Sequence, residues 1–374
     1  MQKDSVSYVC KSATCFAIGN LAESLVNHHF GSFAAIPDQM GSILVDIIPN
    51  KVSDKNDRRI AIDAFDAAKK LVEWLDYDSL PNTLRPLLEI AYKYLAKIYE
   101  KNENETFSKE LVENVYSFIN MTIMSAEKES PQLLQNFLPL FMKYSEKPPF
   151  RSIAARFFGD MISVGSHFLD EPFKVNVMNF ALELADKEND TYSFSCIKDM
   201  ILKEKEITLR FGQKICELCL AKLMIPVVKT EKFLLMRDNC IVTFVAYIMN
   251  IGTESINLDI VLPNILNALP LVIDYSENLM IADFLIWTFN LENGKFAEFI
   301  LRPLIIIFAN PPSIIARFQF SEQNQIEMFK ILYFLLSNQS DPKQIIGSVL
   351  EDDELRANYL QSNVESMRQR YSSA

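Results

Sequence analysis

Glycine is scarce, with 9 residues in a chain of 374. Few turns that need a positive φ can be built, which argues against a sheet-rich fold and for helices with short connections. No apolar run reaches the ~18 residues needed to span a bilayer. The longest lie near Cys240–Met249 and Leu304–Ala309. The N-terminal stretch has no apolar core of the kind a secretory signal carries, because Asp4, Lys11 and several Ser and Thr interrupt it. Cysteines stand only at 10, 15, 196, 216, 219 and 240, among apolar neighbours. That suits reduced core thiols better than a disulfide framework. Basic residues form no stripe: 37 Lys and Arg are outweighed by 48 Asp and Glu, for a formal charge of −11. A nucleic-acid binder needs such a stripe, whereas an acidic surface attracts basic protein segments. The glycine motifs GxxxxGK[ST], GxGxxG and GxSxG are absent, so no phosphate loop or nucleophile elbow is indicated.

What the chain has is apolar material and helical periodicity. Hydrophobic residues make up 49% of it, enough for a large buried interior, and 374 residues are more than one compact core usually serves. The pattern predicts helices over 4–27, 34–48, 54–76, 81–100, 104–126, 130–144, 148–166, 170–186, 190–203, 206–225, 229–250, 256–268, 274–291, 296–309, 321–337 and 342–371, the last one broken. Short polar connections such as Pro49–Ser53, Asp76–Ser79 and Gly252–Ser255 separate them. No low-complexity linker intervenes, which describes one continuous array over 1–374 with a frayed tail at 363–374.

An internal repeat runs through this array. Lys11, Arg58, Arg151 and Arg237 are each followed four residues later by Cys15, Ile62, Ala155 or Ile241. Seven residues on stand Ile18, Phe65, Phe158 and Phe244, and ten on stand Leu21, Ala68, Met161 and Tyr247. Spacings of this kind share one helix face. Small residues among them (Ala17 and Gly19, Ala61 and Ala64, Ala154 and Gly159) let neighbouring helices approach closely. The alternate helices carry an early proline followed by large aliphatics, at Pro37, Pro86, Pro139, Pro263 and Pro303. Proline is tolerated in a first turn, where the N–H has no intrahelical partner, and bends the helix deeper in. The recurrence fits HEAT repeats. The expected fold is therefore all-α, a right-handed α-α superhelix of the HEAT/armadillo-like solenoid type with about eight antiparallel helix pairs.

Residues with chemical potential have bland readings. Cys216 and Cys219 form a CxxC inside a Leu- and Ile-rich helix with no second ligand pair nearby. Buried thiols are the first reading and metal or redox work the lesser one. His28, His29 and His167 sit at helix ends, where imidazolium suits the dipole. Glu351–Glu354 lacks the glycine and spacing of a calcium loop. Trp74 and Trp287 fall on apolar faces. No metal, cofactor or catalytic group is expected. Arg58, Arg59, Arg151 and Arg237, with Asp238 and Asn239, are the candidate ladder or partner-facing residues. In HEAT arrays such a basic residue pairs with an acid of the adjacent repeat, or else it contacts a partner directly. Asp63, Asp66, Asp160 and Asp238 are the acids expected to colour an inner surface.

These residues resemble the karyopherin-beta family, most of all its importin-beta-3 branch. The clearest likeness is Asp238-Asn239-Cys240 through Met249, then Val261-Leu262-Pro263, then Leu266–Leu271, Asp274 and Glu277-Asn278. Lys11–Leu25, Phe150–Gly165 and Arg356-Ala357-Asn358 are similar to other helices of that family's C-terminal half. The resemblance implies a superhelix whose second helices line a concave surface that wraps basic protein cargo. It implies nuclear import, passage through FG-repeat nucleoporins, release driven by the Ran GTPase, and a place in the cytoplasm and nucleus. It neither calls for membrane insertion nor suggests nucleic acid as a partner. Receptors of this kind are more than twice as long, with their main Ran-binding repeats toward the N-terminus, so the chain reads as the C-terminal part of a longer receptor. Helix 4–27 reads as the second helix of a repeat, carrying Val9, Phe16, Ile18, Leu21 and Leu25 where a solenoid end needs a polar cap. Repeat architecture alone leaves open a HEAT scaffold subunit of another multiprotein complex.

Overall fold

The computed structural model describes residues 2–27, 35–49, 54–74, 84–100, 109–125, 130–254 and 256–371. His28 and His29, the side chain of Trp74, and the greater part of the connections after 49, 74 and 100 lie outside them. Among the described residues every regular element is helical. They form α1 (Gln2–Asn27), α2 (Ala35–Ile47), α3 (Lys55–Trp74), α4 (Leu84–Glu100), α5 (Lys109–Ser125), α6 (Ser130–Ser145) and α7 (Arg151–Gly165). Then follow α8 (Glu171–Glu188), α9 (Thr191–Lys203), α10 (Lys205–Leu223), α11 (Glu231–Asn250), α12 (Leu258–Ala268) and α13 (Asn278–Asn290). The chain continues through α14 (Ala297–Phe308), α15 (Pro312–Arg317), α16 (Glu322–Ser337), α17 (Pro342–Leu350) and α18 (Glu354–Tyr371).

The helices gather into two compact units, Met1–Asp170 and Glu171–Ala374. In each, two rows form. In the first unit α2, α4 and α6 make one row, and α1, α3, α5 and α7 make the other. In the second unit the rows are α8, α10, α12, α14 and α17 against α9, α11, α13, α16 and α18. Each helix packs on the next member of its own row, and most pack on the partner in the other row. Short connections between such pairs make them antiparallel. Each unit is thus an all-α solenoid. α1 stands in the second row, packed on α3 and α2.

Local sequence accounts for most boundaries. The stripe Leu84, Leu87, Leu88, Ala91, Tyr94, Leu95 and Ile98 gives α4 one buried face at helical spacing. Side-chain oxygens of Asp54, Asp190, Thr230, Asn257, Ser321, Asp341 and Asp353 cap the first turns of α3, α9, α11, α12, α16, α17 and α18. Gly252, at φ 116°, ends α11 in a conformation other residues rarely adopt.

The structure corrects several expectations. Segment 148–166 is a 3-10 turn, α7, and a second 3-10 turn, because Pro148 and Pro149 cannot donate to a preceding turn. His167 lies in that second turn, exposed and against Phe168, with ring centroids 3.8 Å apart. α15 was not legible, since six residues are too few to show a period. Residues 363–371, expected to fray, are the last turns of α18. Asn363 there donates to the Phe308 and Asn310 carbonyls at 2.8 and 2.9 Å. The prolines are not uniformly early. Pro37 and Pro86 are third in α2 and α4, while Pro263, Pro303 and Pro139 are sixth, seventh and tenth in α12, α14 and α6.

A second regularity is visible only in three dimensions. The carbonyls that end one first-row helix accept hydrogen bonds from side chains of a later helix. Tyr94 of α4 donates to Pro49 after α2. Tyr144 and Lys147, in and just after α6, reach Leu95 and Tyr99 of α4 at 2.8 and 2.7 Å. Lys222 of α10 reaches the Asp186 carbonyl of α8 at 2.7 Å. Arg302 of α14 reaches Asn267 in the last turn of α12 and Leu269 just after it at 3.0 and 3.2 Å. Helix ends expose unpaired carbonyls with a partial negative charge. A later helix that satisfies them sets the register of each row.

Candidate interaction surfaces

Polar groups also join successive second-row helices. Ser12 of α1 donates to the Asp63 carboxylate of α3. Lys70 of α3 meets Glu23 of α1 at 3.5 Å. Arg59 pairs with Asp63 at 2.8 Å and reaches Glu110 of α5 at 3.7 Å, which makes it a rung between adjacent repeats. Arg58, its neighbour, is half-buried, and its Nε has no hydrogen-bond partner. Arg151 begins α7 half-buried. Asp66 is held by Lys69 and Lys70 at 3.3 and 3.8 Å. Small residues act as expected at Gly19, where an added Cβ would stand 3.7 Å from the Ala67 Cα of α3.

Asp160 of α7 was among the acids expected to colour an inner surface. It instead accepts a hydrogen bond from the Tyr116 hydroxyl of α5, and Arg156 lies over the Tyr116 ring at 4.9 Å. Burial pushes the Asp160 carboxyl up to about 6, against the pull of Tyr116 and Arg156. Folding raises this pKa above 3.8, so the contribution is fully present below 3.8 and lost as pH rises through about 6. A shift of this size costs at most about 3 kcal/mol. The stability difference between Asp160→Asn and the wild type is therefore expected to move in the variant's favour from pH 4 to pH 7. Urea midpoints of both proteins across that range measure it, and a constant difference would refute the coupling.

In the second unit, Arg237, Asp238 and Asn239 open the buried part of α11. Asp238 is only 2% exposed. Its Oδ2 accepts from the main-chain N–H groups of Val272, Ile273 and Asp274 at 2.9, 2.6 and 3.0 Å. Burial raises its pKa and these three bonds oppose the rise. Asp238 therefore adds nothing to an exposed acidic surface, because it holds the turn that leads from α12 to α13. Burial lowers the Arg237 pKa, and its buried Nη1 has no partner. The Asn239 carbonyl accepts from the Thr243 hydroxyl at 2.7 Å. Nearby, Lys198 of α9 pairs with Glu277 of the same connection. The stretch 238–278 thus forms one structural unit, with α11, the turn and α13 tied together.

The remaining candidates stay in the core or at turns. Cys216, Cys219 and Cys240 are buried, and the Cys240 thiol faces the Cys219 carbonyl at 3.5 Å. Burial pushes Cys216 up to about 12, and contact with the Cys240 thiol together with burial raises Cys219, which suppresses thiolate chemistry. Among the described residues no three His, Cys, Asp or Glu gather as metal ligands. Trp287 is half-buried and stacks on Phe284 at 5.9 Å. Glu351–Glu354 forms the turn into α18. Cys240–Met249 proves to be part of a 20-residue helix with the length and apolarity of a membrane span. Its residues 240–248 are all buried, and it packs on α9, α10 and α13.

Among the described residues an open concavity lies in the first unit, in the row α4–α6. A groove of about 480 Å³ is lined by Arg85, Leu88, Glu89, Tyr92, Lys93, Leu133, Asn136 and Phe137. Leu88, Leu133 and Phe137 are buried and make its floor. Tyr92 is exposed and meets Phe137 with centroids 5.7 Å apart and planes at 55°. Glu89 and Lys93 on the rim are 4.0 Å apart. No residue of this groove was named as a binding residue from sequence, although Arg85 and Leu88 flank the proline mark at Pro86. The available signal was an aromatic, Tyr92, set just outside the buried stripe of an amphipathic helix.

The sequence matches no family model and no curated protein.

Proposed function

We propose that this chain is a transport-receptor-like binding protein with no catalytic role. Its helix array wraps basic protein cargo and its first row engages FG-repeat nucleoporins, so it works between cytoplasm and nucleus. The observation that supports this most is the α4–α6 groove. Its floor is apolar, one wall is an exposed tyrosine, and it has room for a phenylalanine side chain and flanking residues. The paired-helix architecture and the acidic charge of −11 agree with a protein that gathers basic segments over many weak contacts. The likeness of 238–278 to karyopherin-beta repeats points to the same class.

Binding of the purified chain to FG-repeat peptides, a lysine-rich cargo segment and Ran loaded with GTP tests the reading. FG peptides and the basic segment are expected to bind, the latter weakening steeply with salt, and Ran–GTP is expected not to displace either. Failure to bind any of them, with capture of a multiprotein enzyme complex instead, would favour a HEAT scaffold subunit.

A further inference from the structure

We infer that the α4–α6 groove selects an extended peptide whose large apolar anchor is flanked on both sides by carboxylates; this rests on the groove being a peptide site, as proposed above. Arg85, Glu89 and Lys93 stand at i, i+4 and i+8 of α4 and all line the groove. They make a rim of positive, negative and positive charge. Eight residues of helix span about 12 Å. An extended peptide advances about 3.3 Å per residue, so carboxylates about four residues apart fall opposite Arg85 and Lys93. The residue midway between them drops its side chain onto Leu88, Leu133 and Phe137, beside Tyr92. The matching pattern is acid, any residue, aromatic or large aliphatic anchor, any residue, acid. A basic flank would meet Arg85 and Lys93 with like charge. The chain's overall acidity does not reverse the preference at physiological salt, where charges beyond about 8 Å are screened.

The test uses three synthetic peptides that share a central phenylalanine and carry Asp, Ser or Lys two residues to each side. Fluorescence polarisation with the full chain at 0.15 M salt is expected to rank Asp above Ser above Lys, with two- to tenfold between the first two. The gap should close at 0.5 M salt. Lys93→Glu should invert the ranking, and Glu89→Gln should tighten the Asp peptide alone. Both side chains are well exposed, at 66% and 74%, so neither change threatens the fold. Tyr92→Ala should weaken all three peptides, and affinities that survive it unchanged would place the site elsewhere. Equal affinity for the Asp and Ser peptides would overturn the charge selection while leaving the phenylalanine site intact. Absence of binding by all three would remove both.

Discussion

Asp238→Ala is expected to destabilise the second unit by about 3–5 kcal/mol, the range seen when one partner of a buried charged network is removed. Three main-chain N–H groups lose their acceptor at once, in a place where the carboxylate is 2% exposed. Hydrogen bonds to a charged group contribute more than neutral ones, and the orphaned donors carry a desolvation penalty. Asp238→Asn keeps one carbonyl oxygen in position and should cost less. Urea unfolding with hydrogen exchange at Val272–Asp274 separates loss of the turn from general loosening. An alanine variant with wild-type midpoint and unchanged protection would show that the turn stands without Asp238.

Gly212→Ala is expected to cost about 2–4 kcal/mol through overpacking, where Gly→Ala in a helix ordinarily stabilises. A Cβ at position 212 of α10 would fall on the Tyr247 hydroxyl of α11, far inside van der Waals contact, and 3.2 Å from its Cζ. Tyr247 is 1% exposed and fixed within the run of buried residues 240–248, so it has little room to move. The α10–α11 contact must therefore open. Tyr247→Phe removes the clashing oxygen, and the double variant should recover a part of the loss. Thermal unfolding of the two single variants and the double gives the coupling. Additive losses would mean that the strain arises elsewhere.

Both predictions turn on residues whose helices were legible in the sequence and whose partners were not. Asp238 lies in a stretch whose pattern stands out, and position alone suggested a ladder or partner face. Its partners are N–H groups some 34–36 residues away, in a turn with no periodic signal. Nothing in α10 announces that Tyr247 will lie across Gly212. Asp160 and Tyr116, 44 residues apart, were brought together in the same way. The close approach of α1 and α3 was legible, because Gly19 and the alanines of α3 are a composition signal within each helix.

The chain's own order of residues was enough to establish most of the helices and their succession as pairs, though not the short α15 or the break between α17 and α18. Periodicity, capping residues and short connections are local properties, and each helix needs only its neighbours in sequence to reveal its apolar face. Tertiary structure decided which polar atoms those faces would enclose and where an opening would remain. Asp238 became a turn anchor, Lys222 and Arg302 became clasps on earlier helix ends, and Tyr92 with Phe137 became a groove. Each outcome depends on the offset and angle between helices tens of residues apart. Those are set by the summed packing of whole faces, which no single segment encodes.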